Sequence, residues 1–266
     1  YLICKRYFRS IWAYLITFGI VCFNATLIKH ATEIRVYAVL PTLALATFYM
    51  LQRISDLDFE LSTPKRIGAV IFFVLIILFH VYGILMFAGC LLFTVLSKRK
   101  EGNFKTYFKN AISLTVTILC FAMPPWLLSV FGPHLGYGYL KDSKGISPVH
   151  SFINPFEFIP NPLVNIKGFL KGIFCNLVGN KKLYFLLIGI FFPFLMPYKE
   201  RFKQIGFLFI LVIIPVQLLL LADLRNNYWF MQRHFIWVMP LFAFFLGWSW
   251  DSFLVLLKRN SVEAHN

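Results

Sequence analysis

The stretch GAVIFFVLIILFHVYGILMFAGCLLFTVLS, residues 68–97, indicates a helical membrane protein, because it is long and apolar throughout. His80 is its one side chain that titrates near neutral pH. A single helix over this range would be about 45 Å long, whereas the hydrocarbon core of a bilayer is about 30 Å thick. Basic clusters flank the stretch on both sides: Lys65 and Arg66 before it, and Lys98, Arg99 and Lys100 after it.

Basic side chains beside membrane helices collect on the cytoplasmic side, so both flanking clusters should lie on that side. Two short helices that turn near residues 80–83 satisfy this condition, and a single crossing does not. Gly83 allows a tight turn at that place. The sequence therefore predicts a helical hairpin with its turn on the outer side of the membrane.

The composition extends the membrane interpretation to the whole chain. Of 266 residues, 59% are hydrophobic and 14% are charged, and the mean hydropathy is +0.72. Soluble domains carry about 25% charged residues. Apolar runs recur at 10–28, 36–52, 68–97, 111–130, 183–198, 204–222 and 235–257. We predict an all-α polytopic transmembrane helical bundle of about eight spans, forming a single transmembrane domain over residues 1–266 with both ends cytoplasmic.

The net charge of +15 comes from 26 Lys and Arg against 11 Asp and Glu. Because these cations cluster at the ends of apolar runs, they indicate membrane lipids as partners and not nucleic acid. The cysteines show no CxxC or Cys/His spacing, so neither a metal site nor a cofactor is predicted, and a divalent-metal requirement is left open. The sequon Asn24-Ala25-Thr26 lies within a predicted span, and we expect it to be inert.

The segment 131–182 is predicted to be a long outer loop, because it is rich in proline and glycine through about residue 164. Within it, apolar residues recur at spacings of three and four over residues 164–178. That pattern predicts an amphipathic helix lying on the outer membrane interface.

Two polar clusters on the predicted outer side could carry chemistry. Glu33, Arg35 and Tyr37 join the first two spans, where Arg35 could pair with a phosphate and Glu33 could orient a hydroxyl. A solvated loop with a local ion pair explains them equally well. His80 and Tyr82 lie at the hairpin turn. There they either line a recess that binds a ligand or form a structural pair with satisfied hydrogen bonds.

A third polar cluster precedes the last apolar run. Arg225, Arg233 and His234 could form a basic pocket for a lipid phosphate. The alternative is that this segment, with Tyr228 and Trp229, belongs to the aromatic belt at the membrane interface.

Four segments in order resemble the dolichyl-phosphate-mannose-protein mannosyltransferase family, which belongs to the type C membrane glycosyltransferases. They are HATEIRVYAVLPTLALATFYMLQR (30–53), FHVYGILMFAGCLLFTVL (79–96), MPPWLLSVF (123–131) and RHFIWVMPLFAFFLGW (233–248). The resemblance implies a glycosyltransferase that takes a sugar from a polyprenyl-phosphate donor. The acceptor would be a lipid, glycan or protein on the outer face of a bacterial inner membrane.

The resemblance also assigns roles to residues. It implies that Arg35, Tyr37, His80, Tyr82, Arg225, Arg233 and His234 bind the donor phosphate and sugar. Val36 stands where the family has Pro, and His234 where it has Tyr. Glu33 would be an auxiliary catalytic residue, since the family's main acidic motif would lie before Tyr1. The chain is therefore expected to be part of a longer enzyme.

Two alternatives stay open beside the enzyme. One is a lipid-linked-sugar flippase or transporter, and the other is a non-catalytic membrane subunit. A transporter usually places ionisable groups near the membrane midplane. His80 is expected to be essentially the only such residue within the spans, which disfavours the transporter.

Overall fold

The computed structural model of the chain describes residues 1–31, 38–80, 82–99, 103–136, 162–179, 181–225 and 232–263. Over these residues the chain is helical and contains no β-strand. The α-helices, in chain order, are α1 (Leu2–Tyr7), α2 (Ile11–Phe23), α3 (Ala25–Ala31), α4 (Leu40–Ser55), α5 (Thr63–Phe79), α6 (Gly83–Lys98), α7 (Phe104–Gly136), α8 (Ile166–Val178), α9 (Tyr198–Leu208), α10 (Ile214–Arg225) and α11 (Met239–Glu263). Three 3₁₀-helices cover Lys181–Ile190, Phe192–Leu195 and Gln232–Val238, and a π-helical segment covers Phe209–Ile213.

Among the described residues, three helical stretches are long and apolar enough to cross a membrane: Phe104–Leu127, Tyr198–Leu221 and Phe235–Arg259. A fourth candidate is the pair Ile166–Val178 and Lys182–Leu195, which is bent by 97° at its break. These lengths and compositions fit an integral helical membrane protein. The number of about eight spans stays a prediction.

The chain forms two compact units. Unit 1 comprises Tyr1–Tyr49 and Phe158–Asn266, and unit 2 comprises Met50–Glu157. Helix α4 contributes its first part to unit 1 and its end to unit 2. The single transmembrane domain over residues 1–266 stays a prediction.

The core of unit 1 is built around α11, which packs along α2. The Thr17 hydroxyl donates a hydrogen bond of 3.3 Å to the Ala243 carbonyl, which joins the two helices directly. Aromatic rings fill the surrounding space: Phe244 stacks on Phe8 with a centroid distance of 5.3 Å and contacts Phe207 at 5.4 Å. Helix α11 is thus enclosed by protein along much of its length.

The run 183–198 was expected to form a regular transmembrane helix, and the structure gives two 3₁₀-helices there instead. Pro193 has no N–H to donate to the Gly189 carbonyl four residues earlier, so a regular α-helix could not form that bond. The Ser249 hydroxyl of α11 donates to that carbonyl at 2.5 Å. The Trp250 indole N–H likewise donates to the Leu186 carbonyl at 3.1 Å. Side chains of α11 therefore hold a backbone conformation that the local sequence does not specify.

The helix over the run 204–222 is longer than predicted, because helical structure extends continuously from Tyr198 to Arg225 through the π-helical segment. Pro215 has no N–H to donate to the Leu211 carbonyl four residues before it. Leu211 lies within the π-helical segment, so the winding changes at the carbonyl that lacks this donor. The apolar pattern found the segment but not this local change in winding.

Unit 2 confirms that the run 68–97 is two helices. Helix α5 ends at Phe79, His80 is extended with φ −157° and ψ 151°, and α6 begins at Gly83. Gly83 is buried, and a Cβ placed there would collide with the carbonyl oxygen of Ile76. Glycine is therefore required for the close approach of the two helices, and not for an unusual backbone angle.

Candidate functional site

The structure describes only part of the predicted site. Glu33, Arg35 and Tyr37 lie outside the described residues. His80 and Tyr82 are both half-buried in unit 2, and their ring centroids are 4.5 Å apart. The backbone N–H of Tyr82 donates a hydrogen bond of 3.2 Å to Nδ1 of His80. This bond fixes the imidazole ring at the break between α5 and α6.

The third cluster is described in unit 1 by its backbone. Arg225 is the last residue of α10, and Arg233 and His234 lie in the 3₁₀-helix Gln232–Val238. That 3₁₀-helix contacts α3, which ends at Ala31, two residues before Glu33, and it also contacts α10 and α8. The fold thus brings the backbone that precedes the first predicted cluster against the backbone of Arg233 and His234, although the two clusters are about 200 residues apart in the chain.

A buried hydrogen-bond network sets the start of α3, the helix that precedes residues 32–37. The Asn24 side chain is fully buried, accepts a hydrogen bond of 3.0 Å from the Leu27 N–H and so caps α3. Its amide donates to the Asn176 carbonyl of α8 at 2.8 Å. The Thr26 hydroxyl donates to Oδ1 of Asn176 at 2.7 Å. The predicted span 10–28 is consequently two helices, α2 and α3, separated at Asn24.

Helix α8 agrees with the predicted amphipathic helix, beginning at Ile166 where the apolar pattern began at residue 164. It ends at Val178 and is followed by Gly179, whose φ of +74° is a left-handed conformation that glycine adopts without strain. A Cβ at Gly179 would collide with Asn24. Asn24 is completely buried, and the inertness of the sequon stays a prediction.

A polar cleft of about 260 Å³ in unit 1 was not predicted from the sequence. Arg9, Glu200, Asp251, Ser252 and Arg259 contribute its charged and hydroxyl groups. Both carboxylate oxygens of Asp251 accept backbone hydrogen bonds, Oδ1 from Ser10 at 2.7 Å and Oδ2 from Arg9 at 2.9 Å. Asp251 therefore has a structural role at the start of α2.

The expectation that His80 is essentially the only ionisable residue within the spans is wrong, because Asp251 lies within the run 235–257. An isolated acid in an apolar run was the signal that could have found it. Since Asp251 is held by two backbone N–H groups, it gives no support to a proton relay. Among the residues that the structure describes, no group of three or more His, Cys, Asp or Glu side chains could hold a metal ion.

No family model matches the chain, and neither a curated protein nor a solved structure matches it. The apolar helices place the chain in the class of helical membrane proteins. Its activity is therefore a matter for a proposal argued from the polar residues.

Proposed function

We propose that the chain is a type C membrane glycosyltransferase, or part of one. It transfers a sugar from a polyprenyl-phosphate donor to a lipid, glycan or protein acceptor on the outer face of a bacterial inner membrane. The observation that carries the proposal is the contact between α3 and the 3₁₀-helix Gln232–Val238. This contact supports a shared site for the loop that holds Arg35 and the segment that holds Arg233.

The membrane arrangement that belongs to this proposal has about eight spans, with both chain ends in the cytoplasm. The loops that carry Arg35, Arg225 and Arg233 then face outward, as does the turn at His80. The division of the run 68–97 at His80 supports this arrangement, because two short helices keep both flanking basic clusters on one side.

In the proposed reaction, an acceptor hydroxyl oxygen attacks the anomeric carbon of the donor sugar and forms the new glycosidic bond. The bond between that carbon and the phosphate oxygen breaks, and polyprenyl phosphate leaves as an anion. Arg35, Arg233 and Arg225 stabilise the charge that develops on the phosphate. Glu33 assists removal of the hydroxyl proton, and direct attack inverts the anomeric centre.

The test is sugar transfer by membranes that contain the intact protein with Arg35→Ala or Arg233→Ala. Each change should reduce transfer by about 10²–10³, because a charge-assisted contact to the leaving phosphate is lost. Lys109→Ala is the matched control, since it removes an exposed cation of α7 that the proposal does not use. Membrane insertion should be the same in all variants.

Activity that survives both arginine changes would reject the phosphate site. The same membranes separate the alternatives. A flippase would move the donor lipid between leaflets without cleaving the bond from sugar to phosphate. A non-catalytic subunit would neither move nor cleave it.

A further inference from the structure

A groove in unit 2, separate from the proposed glycosyltransferase site, lies between the end of α4 and the start of α5. Its volume is about 660 Å³, within the range of about 300–1,000 Å³ that small-molecule sites occupy. The residues that line it are mostly apolar, with charged residues among them: Met50, Arg53, Ile54, Asp56, Leu57, Leu61, Lys65, Gly68, Ala69 and Phe72.

The lining of the groove is polarised along both helices. On α5, Lys65 is followed at positions three, four and seven residues later by Gly68, Ala69 and Phe72, so all four share one face. Lys65 lies near the beginning of α5, and the apolar residues follow toward its centre. On α4, Met50 precedes Arg53 by three residues, so the cation is again nearer the α4–α5 turn. The turn end of the groove therefore carries two cations, Arg53 and Lys65, together with the acid Asp56, and the opposite end is apolar.

Arg53 and Lys65, the two cations at this end, are exposed and make no hydrogen bond or ion pair with the residues that the structure describes. By contrast, Arg66 donates to the Ser113 hydroxyl at 2.8 Å. Lys98 lies 3.8 Å from the Asp58 carboxylate. Arg53 and Lys65 are therefore available to an anion.

The turn between α4 and α5 is anchored, so the groove exists before any ligand enters. Asp58 and Phe59 adopt left-handed backbone angles, with φ of 49° and 59°. The Phe59 ring is buried against Tyr107 with a centroid distance of 5.2 Å. The Asn110 amide donates to the Asp58 carbonyl at 3.2 Å. A preformed site loses less conformational entropy on binding than one that must fold around its ligand.

The groove is open at the exposed Gly68. A Cβ at this position would meet no atom within 4 Å, although the neighbouring Ala69 is buried. The apolar end can therefore accept a hydrocarbon chain without rearrangement. In a membrane, acyl chains are the apolar groups present at the highest concentration.

We propose that this groove binds an anionic glycerophospholipid of the cytoplasmic leaflet. Arg53 and Lys65 contact its phosphate, and one acyl chain lies along Gly68, Ala69 and Phe72. The basic clusters around this turn are predicted to face the cytoplasm, where anionic lipids are enriched. Basic pockets between membrane helices on that side are a recognised form of binding site for lipid headgroups.

The test is native mass spectrometry of the full chain in detergent, titrated with phosphatidylglycerol. Arg53→Ala combined with Lys65→Ala should weaken binding about 30-fold, from about 1 kcal/mol for each cation near an anionic headgroup. The matched control combines Lys105→Ala with Lys109→Ala, which removes two exposed cations of α7 outside the groove. The control should bind phosphatidylglycerol as the unchanged protein does, and the unchanged protein should bind phosphatidylcholine more weakly.

A second variant, Gly68→Leu, tests the acyl-chain end without removing charge. Leucine fills the open space and is a better helix former than glycine, so the variant should fold but lose phosphatidylglycerol binding. Equal binding by the Arg53 and Lys65 double variant and its control would overturn the headgroup assignment. Unchanged binding by Gly68→Leu would overturn the acyl-chain assignment. Tighter binding of polyprenyl phosphate than of phosphatidylglycerol at this groove would overturn the identity of the lipid.

Discussion

The Oδ1 atom of Asp251 accepts a hydrogen bond of 2.7 Å from the backbone N–H of Ser10, the N-cap residue of α2. Oδ2 of the same carboxylate accepts from the Arg9 N–H at 2.9 Å, and the side chain of Asp251 is only 2% exposed. A residue of the last helix therefore fixes the place where the chain leaves α1 and begins α2. Without the carboxylate, these two part-buried N–H groups would lose their protein acceptor.

Replacing Asp251 should destabilise unit 1. Asp251→Ala leaves both N–H groups without an acceptor, and we expect it to lower the free energy of unfolding by about 2–4 kcal/mol. Asp251→Asn keeps one carbonyl oxygen and should lose less. The measurement is denaturant unfolding in detergent. The control is Glu60→Ala, which removes an exposed acid and should change the free energy of unfolding by less than about 0.5 kcal/mol. An equally small change for Asp251→Ala would refute the capping role of Asp251.

Thr26 and Asn176 should be energetically coupled through their hydrogen bond. In a double-mutant cycle with Thr26→Val and Asn176→Ala, we expect a coupling free energy of about 1 kcal/mol, because both groups are buried and bonded at 2.7 Å. Thermal unfolding of the four proteins gives this value.

The chain offers a matched control for that cycle. The buried hydroxyl of Thr47 has no hydrogen-bond partner in the part of the chain that the structure describes. Thr47→Val should therefore leave stability unchanged or raise it. A coupling energy near zero between Thr26 and Asn176 would show that their bond does not hold α3 against α8.

Two glycines of the hairpin should respond oppositely to the same substitution. Gly83→Ala places a methyl group against the backbone of Ile76 and should cost about 1–3 kcal/mol, because the two helices must separate. Gly68→Ala meets no atom within 4 Å and should stabilise α5 by about 0.5–1 kcal/mol. The measurement is the thermal unfolding midpoint of each variant, which should fall for Gly83→Ala and rise for Gly68→Ala. If Gly83→Ala is as stable as Gly68→Ala, the close approach at the turn is absent.

The membrane sides can be tested with single cysteines introduced into a variant that lacks the five native ones. A hairpin over residues 68–97 places Ser62→Cys and Lys105→Cys on the same, cytoplasmic side, while Ser147→Cys in the predicted outer loop faces outward. A membrane-impermeant maleimide added to intact cells should label the Ser147 variant alone. Labelling of either Ser62→Cys or Lys105→Cys from outside would contradict the proposed arrangement.

The candidate site could be predicted from the sequence only as a set of residue positions. Charge and spacing indicated Arg225, Arg233 and His234, but the contact of their segment with α3 depends on packing between distant parts of the chain. The same packing explains why Asp251 was missed. Its two hydrogen-bond donors precede it by more than 240 residues, and no local pattern reports such a pair.

Sequence patterns alone were enough to predict apolar membrane helices, the division of 68–97 near His80 and the amphipathic helix that ends at Val178. These features depend on apolar length, flanking charge and the 3.6-residue period, which are local properties. The break at Asn24, the 3₁₀ winding of Lys181–Ile190 and the cap that Asp251 provides depend instead on tertiary packing. In each case a backbone group that its own helix leaves unsatisfied is paired with a side chain or backbone group from a distant helix. An unpaired buried backbone group costs free energy, and which partner satisfies it depends on how the helices pack.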